Sequence, residues 1–447
     1  MSRQQDNYTY LTQGPIAKVI LTMAVPSIIS MLVTSLYNAV DTFFVGQIDT
    51  PSTAAVGVVF PVMFFIQAMA FFFGNGTGNY LSRELGARRR ANAEAMATTG
   101  FVYSVLAGVI ICLCGELFLE RLSLLLGSTP TILPYTRKYL SVILLGAPMM
   151  TGALCLNNQM RFQGNARFAV WGIVSGALVN IILDPILIFS MDMGVVGAAW
   201  ATVIGQAISL VTLLWLSYSP DNIPIHWRYF SGKSIYVREI MAGGTPSLSR
   251  QGLGCVATML LNVTAAVYGD AAIAAMSIVS RITMFVFSMV VGLGQGFQPF
   301  CGYTYGAQMY DRLRQGFWFC VRVGTIFLIV VGIAGGFYAY HIIGMFRNDP
   351  DVVEIGGLAL LFQLATYPLN AFIMLGNMLT QTIRKPWRAN LLASARHGLF
   401  FIPLILLLPH CFGLLGIQVC QSVSDVLTFI LAVVVVRSLR KDLVKKD

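Results

Sequence analysis

The segment Gly74-Asn75-Gly76-Thr77-Gly78-Asn79-Tyr80-Leu81-Ser82-Arg83-Glu84-Leu85-Gly86-Ala87 sets the architecture of this chain, because its landmarks return further along. Gly74 and Gly76 recur as Gly294 and Gly296, and Gly86-Ala87 recurs as Gly306-Ala307. Pro26-Ser27 recurs as Pro246-Ser247 at the same offset of 220 (26 to 246, 86 to 306). Pro148 answers to Pro368, Pro185 to Pro403 and Gly197 to Gly416 at nearly that spacing. Two copies of one unit therefore make up the chain. The Gly74–Gly78 run resembles a phosphate-binding loop but lacks the lysine, and it closes an apolar helix instead of opening one after a strand. Close helix packing or a hinge is the better account, and the second copy at Gly292, Gly294 and Gly296 supports it.

The repeated unit belongs in a membrane. Of 447 residues, 56% are hydrophobic and 11% charged, with mean hydropathy +0.73; a soluble domain carries about 25% charged residues. Twelve apolar runs, centred roughly on residues 30, 65, 104, 146, 179, 207, 254, 285, 327, 368, 400 and 426, are each near the length a helix needs to cross a bilayer. The connections are short and leave no room for a soluble domain. The net charge of +10 is distributed as a membrane protein distributes it. One set of connections carries Arg88, Arg89, Arg90, Arg228, Lys233, Arg312 and Arg384, and the termini add Arg3, Arg437, Arg440, Lys441, Lys445 and Lys446. The opposite set holds Arg121, Arg137, Lys138 and Arg347. The positive-inside rule then puts both termini in the cytoplasm, with no removable signal peptide at the polar start. An even number of spans makes the halves parallel repeats. The eight cysteines form neither a disulfide framework nor a zinc pattern and read as packing residues.

These observations predict an all-α polytopic membrane protein. Residues 1–220 form a first lobe, 221–240 a cytoplasmic linker and 241–447 a second lobe. No nucleotide-binding motif is present, so an ion gradient is the natural energy source. One elementary charge is worth ~2.3 kcal/mol per 100 mV. No H-E-x-x-H or G-x-S-x-G motif points to an enzyme, and duplication within one chain disfavours a simple channel.

The polar residues inside the apolar runs are unevenly shared. The first span carries Thr34, Tyr37, Asn38 and Asp41 on one helical face. The fifth carries Asn180 and Asp184, four apart, followed by Pro185, which frees a carbonyl near Ile181. The sixth adds Thr202 and Gln206, with Gly194, Gly197, Ala198 and Ala201 allowing close approach. An amide, carboxylates and a free carbonyl suit a proton or Na⁺. The plainer alternatives are a helix-capping Asp41 and a locally satisfied Asp184 beside a kink. In the second half, Asp41 aligns with Leu261, and Asp184 with Phe401 or Ile402. Arg250, Arg281 and Arg396-His397 appear there instead, and Asp425 stands opposite Gln206 as a candidate partner for one of these cations. Anchoring helix ends and carbonyls is the plain role for these arginines, and anion or substrate contact the sharper one.

With Ala39-Val40-Asp41-Thr42-Phe43-Phe44-Val45-Gly46, Asn180-Ile181-Ile182-Leu183-Asp184-Pro185, Gly194-Val195-Val196-Gly197-Ala198-Ala199 and the paired Gly-Ala motifs, nearly the whole chain resembles the multidrug and toxic compound extrusion (MATE) family. It is nearer to the DinF-like and MepA-like branch than to NorM-like members. The resemblance implies twelve helices in two pseudo-symmetric six-helix lobes around a central cavity. It implies export of amphipathic, often cationic and aromatic compounds in exchange for H⁺ or Na⁺, without other cofactors, by a multi-pass inner-membrane monomer. The expected partners are small organic substrates and the lipid bilayer, with no nucleic acid. The family's cation site maps onto Asp41, Asn180, Asp184 and Thr202, where Na⁺ would bind. The substrate cavity is expected at Tyr37, Thr34, Asn38, Asn157 and Gln206, and a helix bend at Pro26. The departures lie in the second lobe. Its first span offers Gly254 and Cys255 where NorM-like members carry an acid, its fourth has no acid, and Gln295 stands where MepA-like members can have Glu. The competing reading is a flippase for a lipid-linked precursor, or an exporter of another metabolite. The flippase would need a cationic cavity.

Overall fold

The computed structural model describes residues 3–439, with side chains from residue 7 onward apart from 38 and 39. Twelve long helices dominate: α1 (Ile16–Val45), α2 (Thr50–Gly86), α3 (Arg90–Leu117), α4 (Leu133–Phe162), α5 (Ala166–Ser190), α6 (Gly194–Ser217), α7 (Ser234–Ala266), α8 (Asp270–Gly306), α9 (Tyr310–Phe337), α10 (Pro350–Thr382), α11 (Pro386–Phe412) and α12 (Leu414–Ser438). Eleven are long and apolar enough to span a membrane. The exception, α7, is 33 residues long but carries Arg238, Glu239, Arg250 and Gln251. It begins at Ser234, within the segment expected to be a linker. No strand occurs among the described residues.

Local chemistry explains the boundaries. Asp49 caps α2, accepting from the Ser52 amide at 2.6 Å, and Asp349 caps α10 through the Asp351 amide at 3.1 Å. Proline follows each cap at the position where no N–H is needed. Arg88 and Gln308 take positive φ of 58° and 59° just past the two Gly-Ala motifs, so both copies leave their second helix by the same turn. The duplication also reaches details the composition hides. Short helices Leu119–Leu125 and Ala339–Phe346 follow the third span of each copy. The Asn157 amide donates to the Ala169 carbonyl at 2.6 Å, and the Asn377 amide to that of Ala389 at 2.7 Å.

α4 and α10 are the most buried spans and form the centre of each half. Between the halves the packing is reciprocal: α1 lies along α8, and α7 along α2. Glycines allow it. A Cβ on Gly76 would sit 2.5 Å from the Ile240 carbonyl oxygen, and one on Gly292 would lie 2.7 Å from the Ile28 side chain. Gly86 rests on the Tyr303 backbone and Gly306 on that of Arg83, a matched pair across the pseudo-two-fold. The Gly-rich stretch is thus a packing surface.

The bundle is sealed at one end. Residues 292–304 of α8 and 370–383, spanning α10 and its end, are buried without interruption. Leu11 and Leu439 share one apolar cluster with Phe297 and Phe300, so both chain ends lie at the sealed end. At the opposite end α7 buries only Ala257, Leu261 and Ala265 beyond Ser247. α1 keeps Asp41 and Val45 as its only buried described side chains past Ser30.

Candidate functional site

The polar cluster sits where α1, α4, α5 and α6 meet, toward the loose end. Two glycines set the α5–α6 crossing. A Cβ on Gly176 would come within 2.5 Å of the Gly205 carbonyl oxygen, and one on Gly205 within 2.8 Å of the Gly176 oxygen. Nearer the loop, Gly197 lies against the Leu187 carbonyl, 2.7 Å from where its Cβ would be. This approach brings Asn180 opposite Thr202. Just after Asp184, the helix passes at Pro185 from α into a π turn over Ile186–Ser190. π segments cost regular hydrogen bonds and recur at functional positions.

The side chains are buried and poorly satisfied. Asp184 is 0% exposed, Asn180 2%, Thr202 6% and Asp41 9%. The Asn180 amide reaches Asp184 Oδ1 and Thr202 Oγ1 only at 3.5 Å each, the outer limit for a hydrogen bond. Asp41 Oδ1, Asn180 Oδ1 and Asp184 Oδ2 have no hydrogen-bond partner. No Lys, Arg or His of the described residues forms an ion pair with either acid. Asp41 and Asp184 lie within electrostatic reach of each other, and Tyr37 is close to both, with Gln206 as its polar neighbour.

Burying two carboxylates that lack a cationic partner and each leave an oxygen without a donor is costly unless a cation joins them. The free oxygens come from carboxylates and an amide, a donor set that suits a hard monovalent cation or a proton and offers nothing to a soft metal. Among the described residues no group of three or more His, Cys, Asp and Glu is placed to hold a metal.

The remaining candidates are more dispersed. The Thr34 hydroxyl bonds its own helix at the Ser30 carbonyl, 2.8 Å away. Asn157 is committed to tying α4 to α5. The Asn38 side chain lies outside the described residues. Pro26 sits within an unbroken α1, where the Ser27 hydroxyl bonds back to the Met23 carbonyl at 2.9 Å. Tyr139 of α4, fully buried, faces Asp41, Asp184 and Tyr37 from the fourth wall. An aromatic residue at the head of an apolar run reads as packing, so only the α4 packing reveals it.

The second half is built differently at the matching depth. Leu261 and Phe401 pack into an apolar cluster. Asp425 is paired and saturated: Arg396 Nε lies 2.8 Å from Oδ1, and the Asn370 and Gln421 amides donate at 2.9 and 2.8 Å. Arg281 is exposed. The eight cysteines are all free.

Comparison with known proteins accords with this geometry. The MatE family model matches twice, over residues 26–186 and 246–407, which are the two copies. The multidrug export protein MepA of Staphylococcus aureus is 27% identical over 436 residues, 96% of each chain. A solved outward-facing multidrug resistance transporter of the MATE family superposes with a TM-score of 0.91 at 26% identity, over 97% of this chain and 98% of that one. A transporter of the MOP superfamily from Pyrococcus furiosus, described as having a binding pocket of reverse polarity that suggests a different function, gives the same TM-score and identity over 98% and 99%.

Proposed function

The chain belongs to the MatE family, and from that premise we propose that it is a cation-coupled antiporter exporting amphipathic, often cationic aromatic compounds by alternating access. The observation that carries this reading is the pair Asp41 and Asp184, buried in one half alone, each with one oxygen that has no hydrogen-bond partner and neither paired with a cationic side chain of the described residues. Its coupling ion is H⁺ or Na⁺, held by Asp41, Asn180, Asp184 and Thr202. The protein works as a monomer in the cell inner membrane with both termini cytoplasmic.

In the sealed-at-the-termini state the acids face the open, outer side. Loading a cation neutralises them and draws Asp41 of α1 toward Asn180 and Asp184 of α5. Because α1 also packs along α8 of the other half, that movement is transmitted across the interface, with Pro26 as the hinge. Substrate and cation need only prefer opposite states, or compete for one cavity, for the gradient to drive export. Tyr37 and Gln206 line the approach and offer aromatic and polar contacts to a cationic substrate, with Tyr139 packed behind them.

The test is efflux of a fluorescent aromatic cation from proteoliposomes under an imposed H⁺ or Na⁺ gradient. Wild-type protein should export the dye under one of them. Asp41→Asn and Asp184→Asn should each cut gradient-driven export at least tenfold while eluting as folded protein. Full export by either variant would remove that residue from the coupling site. No export under either gradient would favour a lipid-linked precursor or another metabolite as cargo.

A further inference from the structure

We propose that the second half contains a carboxylate-binding subsite centred on Arg250, and that it receives the anionic end of a transported amphiphile. This rests on the exporter reading for its role, though not for its chemistry. A mostly apolar cavity of about 30 Å³ lies between α7, α8, α10 and α11, with Arg250, Asn377, Arg396 and His397 as the polar side chains of its wall. That volume exceeds what one water needs.

The charge balance there is unequal. Arg396 is neutralised by Asp425 and lies with its guanidinium carbon 4.6 Å above the Phe287 ring. Arg250 has no such acid. Its Nη1 donates to Asn377 Oδ1 at 2.9 Å, and no carboxylate of the described residues pairs with it. A guanidinium has five N–H donors in a planar fork that fits a carboxylate edge-on. A charge of this kind at membrane depth must face water, an anion or a cavity, and here the cavity is present. Asn377 holds the fork in place, because its own amide is anchored on the Ala389 carbonyl at 2.7 Å.

Symmetry strengthens the assignment. Arg250 stands at the repeat position of Ser30, and nothing in the first half matches its charge. Each half places a π turn in its fifth span, Ile186–Ser190 beside Asp184 and Ala395–Leu399 carrying Arg396 and His397. The same backbone irregularity stands beside one acid, Asp184, in the first half and carries the basic residues Arg396 and His397 in the second. A substrate spanning the interface would set its cationic end toward Asp41 and Asp184 and its carboxylate on Arg250.

The probes are a rhodamine bearing a free carboxylate and its ethyl ester, which share one cationic ring system. Binding to the full-length protein in detergent is read by fluorescence polarisation. Wild-type protein should hold the acid about tenfold more tightly than the ester, the scale of one charge-assisted bond pair. Arg250→Gln should bring that ratio close to one, and Arg250→Lys should keep part of it. Ala393→Asp, which sets a competing carboxylate on the cavity wall, should also abolish the preference. Equal binding of the two dyes by the wild type, or an unchanged ratio in folded Arg250→Gln or Ala393→Asp, would overturn the subsite. Binding in detergent needs no gradient. A preserved acid preference without export in proteoliposomes would therefore sink the antiporter reading and leave the subsite standing.

Discussion

Two aspartates in this protein are buried to the same degree and held in opposite ways. Asp425 accepts from Arg396, Asn370 and Gln421, whereas Asp184 keeps Oδ2 without any donor. Removing one partner of a buried ion pair strands the other charge, at a cost of about 3–5 kcal/mol. Asp425→Asn is therefore expected to destabilise the protein by that order in thermal denaturation in detergent. Asp184→Asn removes a charge whose one donor is the long bond from Asn180 and which no cation of the described residues pairs with, so it should leave the melting temperature unchanged or raise it while abolishing coupled export. Equal destabilisation by the two variants would show that Asp184 serves structure. The contrast explains which residues were legible in sequence. Asp41, Asn180 and Asp184 stand out because carboxylates and an amide in apolar runs share a helix face with a polar neighbour four residues away, whereas Thr202 joins them only through the family resemblance. Tyr139 does not, because an aromatic residue in an apolar run is ordinarily packing and only the fold turns it toward the acids. The bond from Asn157 to the Ala169 carbonyl, which ties α4 to α5, was equally invisible.

At the level of elements, the site depends on how closely α5 and α6 can cross. Gly176 and Gly205 bring the two backbones together, with Asn180 Cβ only 3.1 Å from where a Cβ on Gly205 would be. A side chain there must push α6 away and carry Thr202 from Asn180. Gly205→Leu is expected to abolish export and lower the melting temperature by several degrees. Gly57→Leu is the control: nothing lies within 4 Å of its Cβ position, and leucine is favoured over glycine in a helix by about 0.5–1 kcal/mol. It should be as stable as the wild type or more so, with export intact. Equal harm from both would mean that apolar bulk, and not the crossing, disrupts the protein. The small residues of α6 were readable as a contact face from their spacing. Which residues of α5 they meet was not, because the pairings of Gly205 with Gly176 and of Gly197 with Leu187 depend on the crossing of two helices and not on spacing along one. α7 was legible as an apolar run but not as an interface helix. Its Glu239 serves a contact to Arg83 that exists only once the halves pack, and its Arg250 one to Asn377 that exists only once α7 meets α10.

For the whole molecule, function requires the sealed end to open. A polar network crosses the interface there. Arg83 of α2 reaches Glu239 of α7 at 2.8 Å and the Thr382 carbonyl at 2.8 Å. Glu239 also pairs with Arg384 at 2.5 Å. The Asn75 amide donates to the Ser247 hydroxyl at 2.9 Å, and the Gln381 amide reaches the same hydroxyl at 2.8 Å. The Arg83–Glu239, Arg83–Thr382 and Asn75–Ser247 bonds join one half to the other and must break when the cavity turns toward the termini, whereas the Arg384 and Gln381 bonds hold Glu239 and Ser247 in place within the second half. A covalent tie at this place should stop the cycle without touching the cation site. With the eight native cysteines replaced, Asn75→Cys combined with Ser247→Cys should form a crosslink on mild oxidation. Gradient-driven export should then fall to background and return on reduction, while binding of an aromatic cation from the outer side persists. Export that continues through the crosslinked protein would mean that the α2–α7 contact stays closed throughout the cycle, and that the substrate reaches the terminal side by a path that leaves this interface intact.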